Sequence, residues 1–234
     1  MRASRIHDRP PPGTQPGYLH PPYASTARRA PRHALVDIPP TATELGRPRL
    51  PLAGLADSCD LTTAGEGPPL GERIVVHGCV SDAAGRPLPG TLIELWQANA
   101  AGRYQHRHDD HDAPLDPNFP GAGRVVTNGA GEFRFVTLRP GAYPWRNHPN
   151  AWRPAHLHFS VFGACLLERL VTQMYFPGDP LLPFDPIFTS IADVGARDRL
   201  VARFDWHATV PEYALGYRFD IVLGGRDATP ADPA

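Results

Sequence analysis

The segment Arg153-Pro154-Ala155-His156-Leu157-His158-Phe159 concentrates groups that could do chemistry. In a β-strand, side chains at i and i+2 share a face. His156 and His158 therefore project together, with Leu157 and Phe159 on the opposite face. Two imidazoles about 6–7 Å apart along one strand face can converge on a single metal ion. An H-x-H pair is equally at home on an ordinary polar strand face, so the remaining ligands decide. A zinc site calls for a third His, a Cys or an acidic group. A non-haem Fe(II) oxygenase calls for two His and one carboxylate. Glu168, Asp179 and Asp185 lie downstream, in no recognised spacing. Upstream, Tyr143-Pro144-Trp145-Arg146-Asn147 offers a tyrosine in an aromatic-rich loop. A phenol gives up its proton near pH 7 only to a strong Lewis acid, which favours Fe(III) over Zn(II) or Fe(II). Two phenolates and one hydroxide would neutralise Fe(III) in a buried site.

The elements around these residues read as strands. Residues 73–81 (RIVVHGCVS) are rich in β-branched residues, and 91–97 (TLIELWQ) resume the pattern after the turn-like DAAGRPLPG. Two such runs around a Gly/Pro segment predict an antiparallel hairpin. Residues 125–127, the turn NGAGE and residues 133–138 predict a second hairpin. Strands follow at 156–162, 167–176 and 217–223, and only 196–203 reads as helical. The expected fold class is all-β, an antiparallel β-sandwich with long loops. The irregular stretch 99–123 is long enough to be functional. Residues 1–70 read as a Pro-rich N-terminal arm, with one strand-like run at 34–39, and 71–234 as the catalytic sandwich. Such an arm buries too little surface to order alone, so it is disordered or wraps another surface.

Composition agrees. The chain has 234 residues and 29 prolines, about twice average usage, which disfavours a helical bundle. Lys plus Arg is 23 against 24 Asp plus Glu, so no basic field draws in nucleic acid. No stretch approaches a membrane span, the N-terminus lacks the apolar run of a secretory signal, and the expected location is cytoplasmic. Cys59, Cys79 and Cys165 match no zinc pattern and read as reduced thiols.

Residues 141–163 (GAYPWRNHPNAWRPAHLHFSVFG) resemble the ligand segment of intradiol ring-cleaving dioxygenases, and 72–104 (ERIVVHGCVSDAAGRPLPGTLIELWQANAAGRY) resemble the segment ending in their other ligand tyrosine. APLDPNFPGAGR (113–124), TQMYFPGDPLLPFDPI (172–187) and YRFDIVL (217–223) are similar to the protocatechuate branch, specifically its β-type chain. The likeness runs from about residue 18 to 225. It implies one non-haem Fe(III) per chain, with Tyr143 and His158 axial and Tyr104, His156 and a hydroxide equatorial. It implies that Arg153 stabilises charge on the substrate ring, that Gln173 borders the oxygen pocket, and that Trp145 and Ile187 wall the ring. Tyr23 resembles the tyrosine that helps hold a substrate carboxylate. The implied reaction is intradiol cleavage of protocatechuate by O2 to 3-carboxy-cis,cis-muconate in aromatic catabolism. The implied partner is a homologous α subunit in an αβ hetero-oligomer, with the arm against it.

Other features read more plainly. The loop QHRHDDHD (105–112), with His106, His108 and His111, reads as solvated. Trp96 reads as a packing aromatic, and of 173–176 only Gln173 points at chemistry. Relatives acting on catechol or hydroxyquinol carry a helical N-terminal domain, unlike this Pro-rich segment. A non-catalytic binding module, like the family's iron-free α-type chain, is disfavoured by the full Tyr, Tyr, His, His set.

Overall fold

The computed structural model describes residues 10–36, 52, 54–149, 152–162 and 169–232. Strands dominate, in two packed sheets. The first holds β1 (Ser58–Asp60), β2 (Arg73–Asp82), β5 (Glu132–Leu138), β10 (Arg203–Phe204) and β11 (Leu215–Arg218), in the order β1-β5-β2-β11-β10, with β12 (Ile221–Leu223) also on β2. The second holds β3 (Leu92–Trp96), β4 (Ala122–Val126), β8 (His156–Phe162) and β9 (Arg169–Tyr175), in the order β4-β3-β8-β9. A two-stranded ribbon pairs β6 (Tyr143–Pro144) with β7 (Trp152–Arg153).

The expected strands are present, but neither hairpin forms. β2 and β3 lie in different sheets, as do β4 and β5. The turns themselves are tight. The Asp82 amide donates to the Arg86 carbonyl at 3.0 Å, and the Asn128 amide to the Glu132 carbonyl at 3.0 Å. Each turn feeds a crossover instead, because the apolar faces on either side belong to opposite walls of one core. Pairing is not purely antiparallel either: β1 runs parallel to β5, and β11 and β12 run parallel to β2.

Residues 217–223 are interrupted. β11 ends at Arg218 and β12 begins at Ile221, both tracking β2 in one register. At the break, the Asp220 carboxylate accepts the Cys79 amide at 3.1 Å. Gly78 is required there, since a Cβ would sit 1.9 Å from the Phe219 carbonyl oxygen. Among the described residues the α-helices are single turns: α1 (Thr26–Arg29), α2 (Pro186–Thr189) and α3 (Val194–Asp198). The helix expected at 196–203 therefore starts earlier and stops at Asp198, and α1 and α2 were not anticipated. Ala34–Val36 carries no strand, and 37–39, Cys165 and Glu168 lie outside the described residues.

The core lies between the sheets. Phe159 on β8 meets Phe133 and Phe135 on β5 at ring separations of 6.1 and 6.3 Å, and Phe219 at 5.2 Å. Leu157, Phe159 and Val161 are fully buried in it. The period-2 rule then puts His156 and His158 on the other face of β8, beneath the loops.

Much of the described N-terminal arm folds onto its own chain. Asn147 accepts the Ala24 amide on its carbonyl at 2.9 Å and the Ser25 amide on its side-chain oxygen at 3.0 Å. Tyr23 and Thr26 are buried. Farther along, Leu61 enters the core directly after β1.

Candidate metal centre

Sheet register assembles the first part of the site. Trp96 and Gln173 flank His158 on the neighbouring strands, and Tyr175 pairs with His156. All lie on the face opposite Leu157. The Trp96 ring stacks on the His158 imidazole at 4.9 Å and 3°. In the ribbon above, Tyr143 pairs with Arg153, so that short hairpin delivers a phenol and a guanidinium together.

Two glycines bring the tyrosine loops into contact. Gly102 has φ +80°, and a Cβ there would meet the Ala142 carbonyl oxygen at 2.2 Å. A Cβ on Gly141 would meet the Ala100 carbonyl oxygen at 2.5 Å. With both absent, the segment ending at Tyr104 lies directly on the one entering Tyr143. The Tyr104 and Tyr143 rings meet edge to face at 5.3 Å. The Asp109 carboxylate accepts the Tyr104 amide at 2.7 Å, and the Arg103 guanidinium donates to the His111, Ala113 and Asp109 carbonyls.

Four donor atoms converge. His156 Nε2 lies 3.3 Å from the Tyr143 hydroxyl and 3.2 Å from His158 Nε2, which lies 3.1 Å from the Tyr104 hydroxyl. Metal–ligand bonds of about 2.0–2.2 Å place adjacent ligands roughly 3 Å apart, so this spacing suits a shared ion. His156 Nδ1 lies 2.7 Å from the Pro154 carbonyl, which can only accept. The proton therefore sits on Nδ1, and Nε2 turns a bare lone pair to the centre.

Electrostatics keeps the imidazoles neutral. Burial, then the Arg153 charge, pushes His158 down to about 3. Burial, Arg153 and His158 hold His156 well below its usual value. Burial, then Tyr143, drives Tyr104 well above the usual phenol range, so it ionises only against a strongly charged ligand-seeking cation. Neutral imidazoles beside a reluctant phenol at Tyr104 fit a trivalent ion better than zinc. Among the described residues, no three His, Cys, Asp or Glu gather as a metal site. His106, His108 and His111 do not join the centre; the rings of the first two stand 5.3 Å apart, and His108 accepts from the Arg107 guanidinium at 3.1 Å.

Arg153 is the organising cation. Buried to 2% exposure, it donates to Asp185 at 2.6 Å, Gln173 at 2.7 Å and Tyr175 at 3.0 Å, and reaches His156 Nε2 at 3.2 Å. Burial opposes its charge, but Asp185, Tyr175 and Tyr143 hold it well above its usual value. The other Asp185 oxygen accepts the Ile187 amide at 2.9 Å and caps α2, which fixes Ile187 beside the site. Trp145 lies 5.2 Å from the guanidinium and 4.9 Å from Tyr23. Tyr104, Tyr143, Arg153, His156, His158 and Gln173 thus gather around one point, with Trp145 and Tyr23 on the guanidinium side.

Two family models match the chain: one described as dioxygenase over residues 52–225, the other as protocatechuate 3,4-dioxygenase beta subunit N terminal over residues 8–41. A protocatechuate 3,4-dioxygenase beta chain from Burkholderia cepacia is 55% identical over 94% of both chains. The chain belongs to the intradiol dioxygenases, in the protocatechuate 3,4-dioxygenase beta-chain branch. More distant intradiol dioxygenases are longer. A 6-chlorohydroxyquinol 1,2-dioxygenase from Cupriavidus pinatubonensis is 34% identical over 65% of this chain and 54% of its own. The solved catechol 1,2-dioxygenase of Acinetobacter sp. ADP1 superposes with a TM-score of 0.54 at 26% identity, over 71% of this chain and 56% of that one.

Sequence reasoning about this intradiol dioxygenase missed two participants. Tyr175 faces the site, not the strand end, and i+2 alternation from Gln173 would have found it. Asp185 holds Arg153 and is no metal ligand. Trp96, read as a packing aromatic, packs on His158. No helix of the described residues is long and apolar enough to cross a membrane.

Proposed function

We propose that this chain holds one Fe(III) through Tyr104, Tyr143, His156 and His158 and cleaves protocatechuate with O2 to 3-carboxy-cis,cis-muconate. The convergence of the four donor atoms within 3.1–3.3 Å of their neighbours carries the reading. Bound there, Fe(III) supplies Lewis acidity and a template for both oxygens of a catechol. The residues do the rest. Tyr143 Oη, as a phenolate ligand, would be the base that takes up a substrate hydroxyl proton. The Arg153 guanidinium, pinned by Asp185, Gln173 and Tyr175, stabilises the negative charge that grows on the ring without having to reorient. Trp145 and Ile187 wall the ring and keep water out, Gln173 borders the oxygen pocket, and Tyr23 faces the ring carboxylate.

The proposal includes a homologous α subunit, with the arm through residue 70 contributing to that contact and residues 71–234 forming a β-sandwich catalytic domain. A cytoplasmic setting is part of it, supported by free thiols at Cys59 and Cys79. The visible spectrum of the iron-loaded protein tests the reading. A broad tyrosinate-to-iron band that shifts on anaerobic addition of protocatechuate is expected. A colourless protein with stoichiometric iron overturns the ligand set. A band that shifts with catechol and not protocatechuate overturns the substrate.

A further inference from the structure

The segment after β12 returns to the centre. The Thr229 amide donates to the Val222 carbonyl at 3.0 Å, the Thr172 hydroxyl to the Pro230 carbonyl at 2.7 Å, and the Asp232 amide to the Val171 carbonyl at 2.7 Å. From the other side, the Ala231 amide donates to the Gln15 side-chain oxygen at 2.8 Å. This strap along β9 carries the Asp232 carboxylate inward, to 11% side-chain exposure. There it accepts the Gln173 amide at 2.5 Å and stands 3.9 Å from His158 Nδ1.

His158 Nδ1 is a buried atom without a hydrogen-bond partner. If His158 offers Nε2 to a metal, Nδ1 must carry the proton, and a buried N–H without an acceptor is costly. His156 solves the same problem with the Pro154 carbonyl. For His158 the Asp232 oxygen, at 3.9 Å, lies about 0.7 Å beyond hydrogen-bond reach. Trp96 stacks flat on the imidazole, which resists tilting of the ring more than a shift within its plane. The same oxygen fixes the Gln173 amide, whose carbonyl oxygen accepts from Arg153 and Tyr175.

We propose that Asp232 is a positioning residue of the metal centre: it accepts the Nδ1 proton of His158 in the loaded site, fixing the ligand tautomer, and orients Gln173 towards Arg153. The inference rests on His158 being a ligand. Iron release to an excess of chelator and the position of the tyrosinate-to-iron band test it, in wild type and in Asp232→Ala, Asp232→Glu and Gln15→Ala. Loss of a hydrogen-bond partner behind a ligating histidine typically costs 10–100-fold in metal affinity. Asp232→Ala is expected to release iron at least about tenfold faster and to move the band. Asp232→Glu is expected to restore both, and Gln15→Ala to leave the band in place. Should Asp232→Ala not fold, Asp232→Leu, which fills the space without an acceptor, replaces it. Wild-type release and band in Asp232→Ala overturn the proposal. So does a loss shared by Asp232→Glu, or one reproduced by Gln15→Ala, because strap docking would then account for it. A wild-type protein that holds iron without any tyrosinate band overturns the ligand set and this inference together.

Discussion

Asp185→Asn should be among the most damaging isosteric changes this chain can suffer, and its cost follows from the site's geometry. The Arg153–Asp185 contact is 2.6 Å, with side chains 2% and 0% exposed, so solvent screens neither charge. Asparagine keeps the shape and an oxygen able to accept the Ile187 amide, so the α2 cap survives. What disappears is the counter-charge, and an amide N–H₂ or a neutral oxygen is left facing a guanidinium that cannot deprotonate. Removing one partner of a buried pair costs about 3–5 kcal/mol. A domain of this kind is stable by about 5–15 kcal/mol, so a large share is lost. For a chain this long, each kcal/mol lowers the melting temperature by about 2–4 °C, which puts the drop at roughly 6–20 °C. The assay is urea and thermal unfolding of the iron-free protein, so that metal binding does not contribute. A double-mutant cycle with Arg153→Met isolates the pair: Arg153→Met should cost far less in the Asp185→Asn background than alone. A loss below about 1 kcal/mol for Asp185→Asn, or strict additivity in the cycle, would refute the account of Arg153 as a charge held by Asp185.

Tyr143→Phe should keep iron through the remaining three side chains while turnover falls by about 10²-fold or more, since it removes a positioned proton acceptor; full turnover in steady-state oxygen uptake would exclude that role. Gly102→Ala should cost about 1–2 kcal/mol for its left-handed backbone and push the Tyr104 and Tyr143 loops apart. Iron content per chain would drop with it, and a stoichiometric, wild-type-coloured variant would contradict the close approach. The pH dependence of the iron-free protein follows from His156 and His158. Their folded values lie below the unfolded value near 6.5, so the unfolded chain binds more protons as pH falls. Stability should therefore be fully present above about pH 6.5 and decline steadily as pH drops towards about 3; a urea midpoint flat between pH 7 and 4 would show that the imidazoles are not held neutral.

The site was more legible than the topology, for a physical reason. The proposed ligands carry local marks: His156 and His158 share a strand face whatever that strand's neighbours are, and the loops bearing Tyr104 and Tyr143 carry residues that resemble the family's. Sheet membership is set by which wall of the core an apolar face meets, and Val76 and Leu95 look alike from the sequence. A Gly-rich turn reads the same whether it closes a hairpin or launches a crossover, which is why both expected hairpins were wrong. Asp185 and Asp232 were unreadable for another reason. Each acts through a contact made only by folding, with Arg153 and Gln173 respectively, and a lone aspartate in a Pro-rich stretch carries no local mark of its partner. Tyr175 was readable in principle, since it lies two residues from Gln173 on the same strand.

The crossovers have a kinetic consequence. Sequence-adjacent pairs such as β3–β4 and β8–β9 can form early, but β2 has no such neighbour, since the chain leaves its sheet for β3 and β4. β2 completes its ladder only when β5 returns from the other sheet and β11 arrives from more than half the chain away. Loop-closure entropy must be met before such pairings reward it, which places folding in the millisecond-to-second range of high-contact-order β proteins. His156 and His158 sit on β8, whose register depends on β3 and β9, while the phenols descend from loops that need the finished sheets beneath them. The four donors thus come within reach of one another only late. A nascent chain offers a metal ion at most the His156–His158 pair and not the four-donor chelate, so full metal capture should report the completion of folding instead of guiding it.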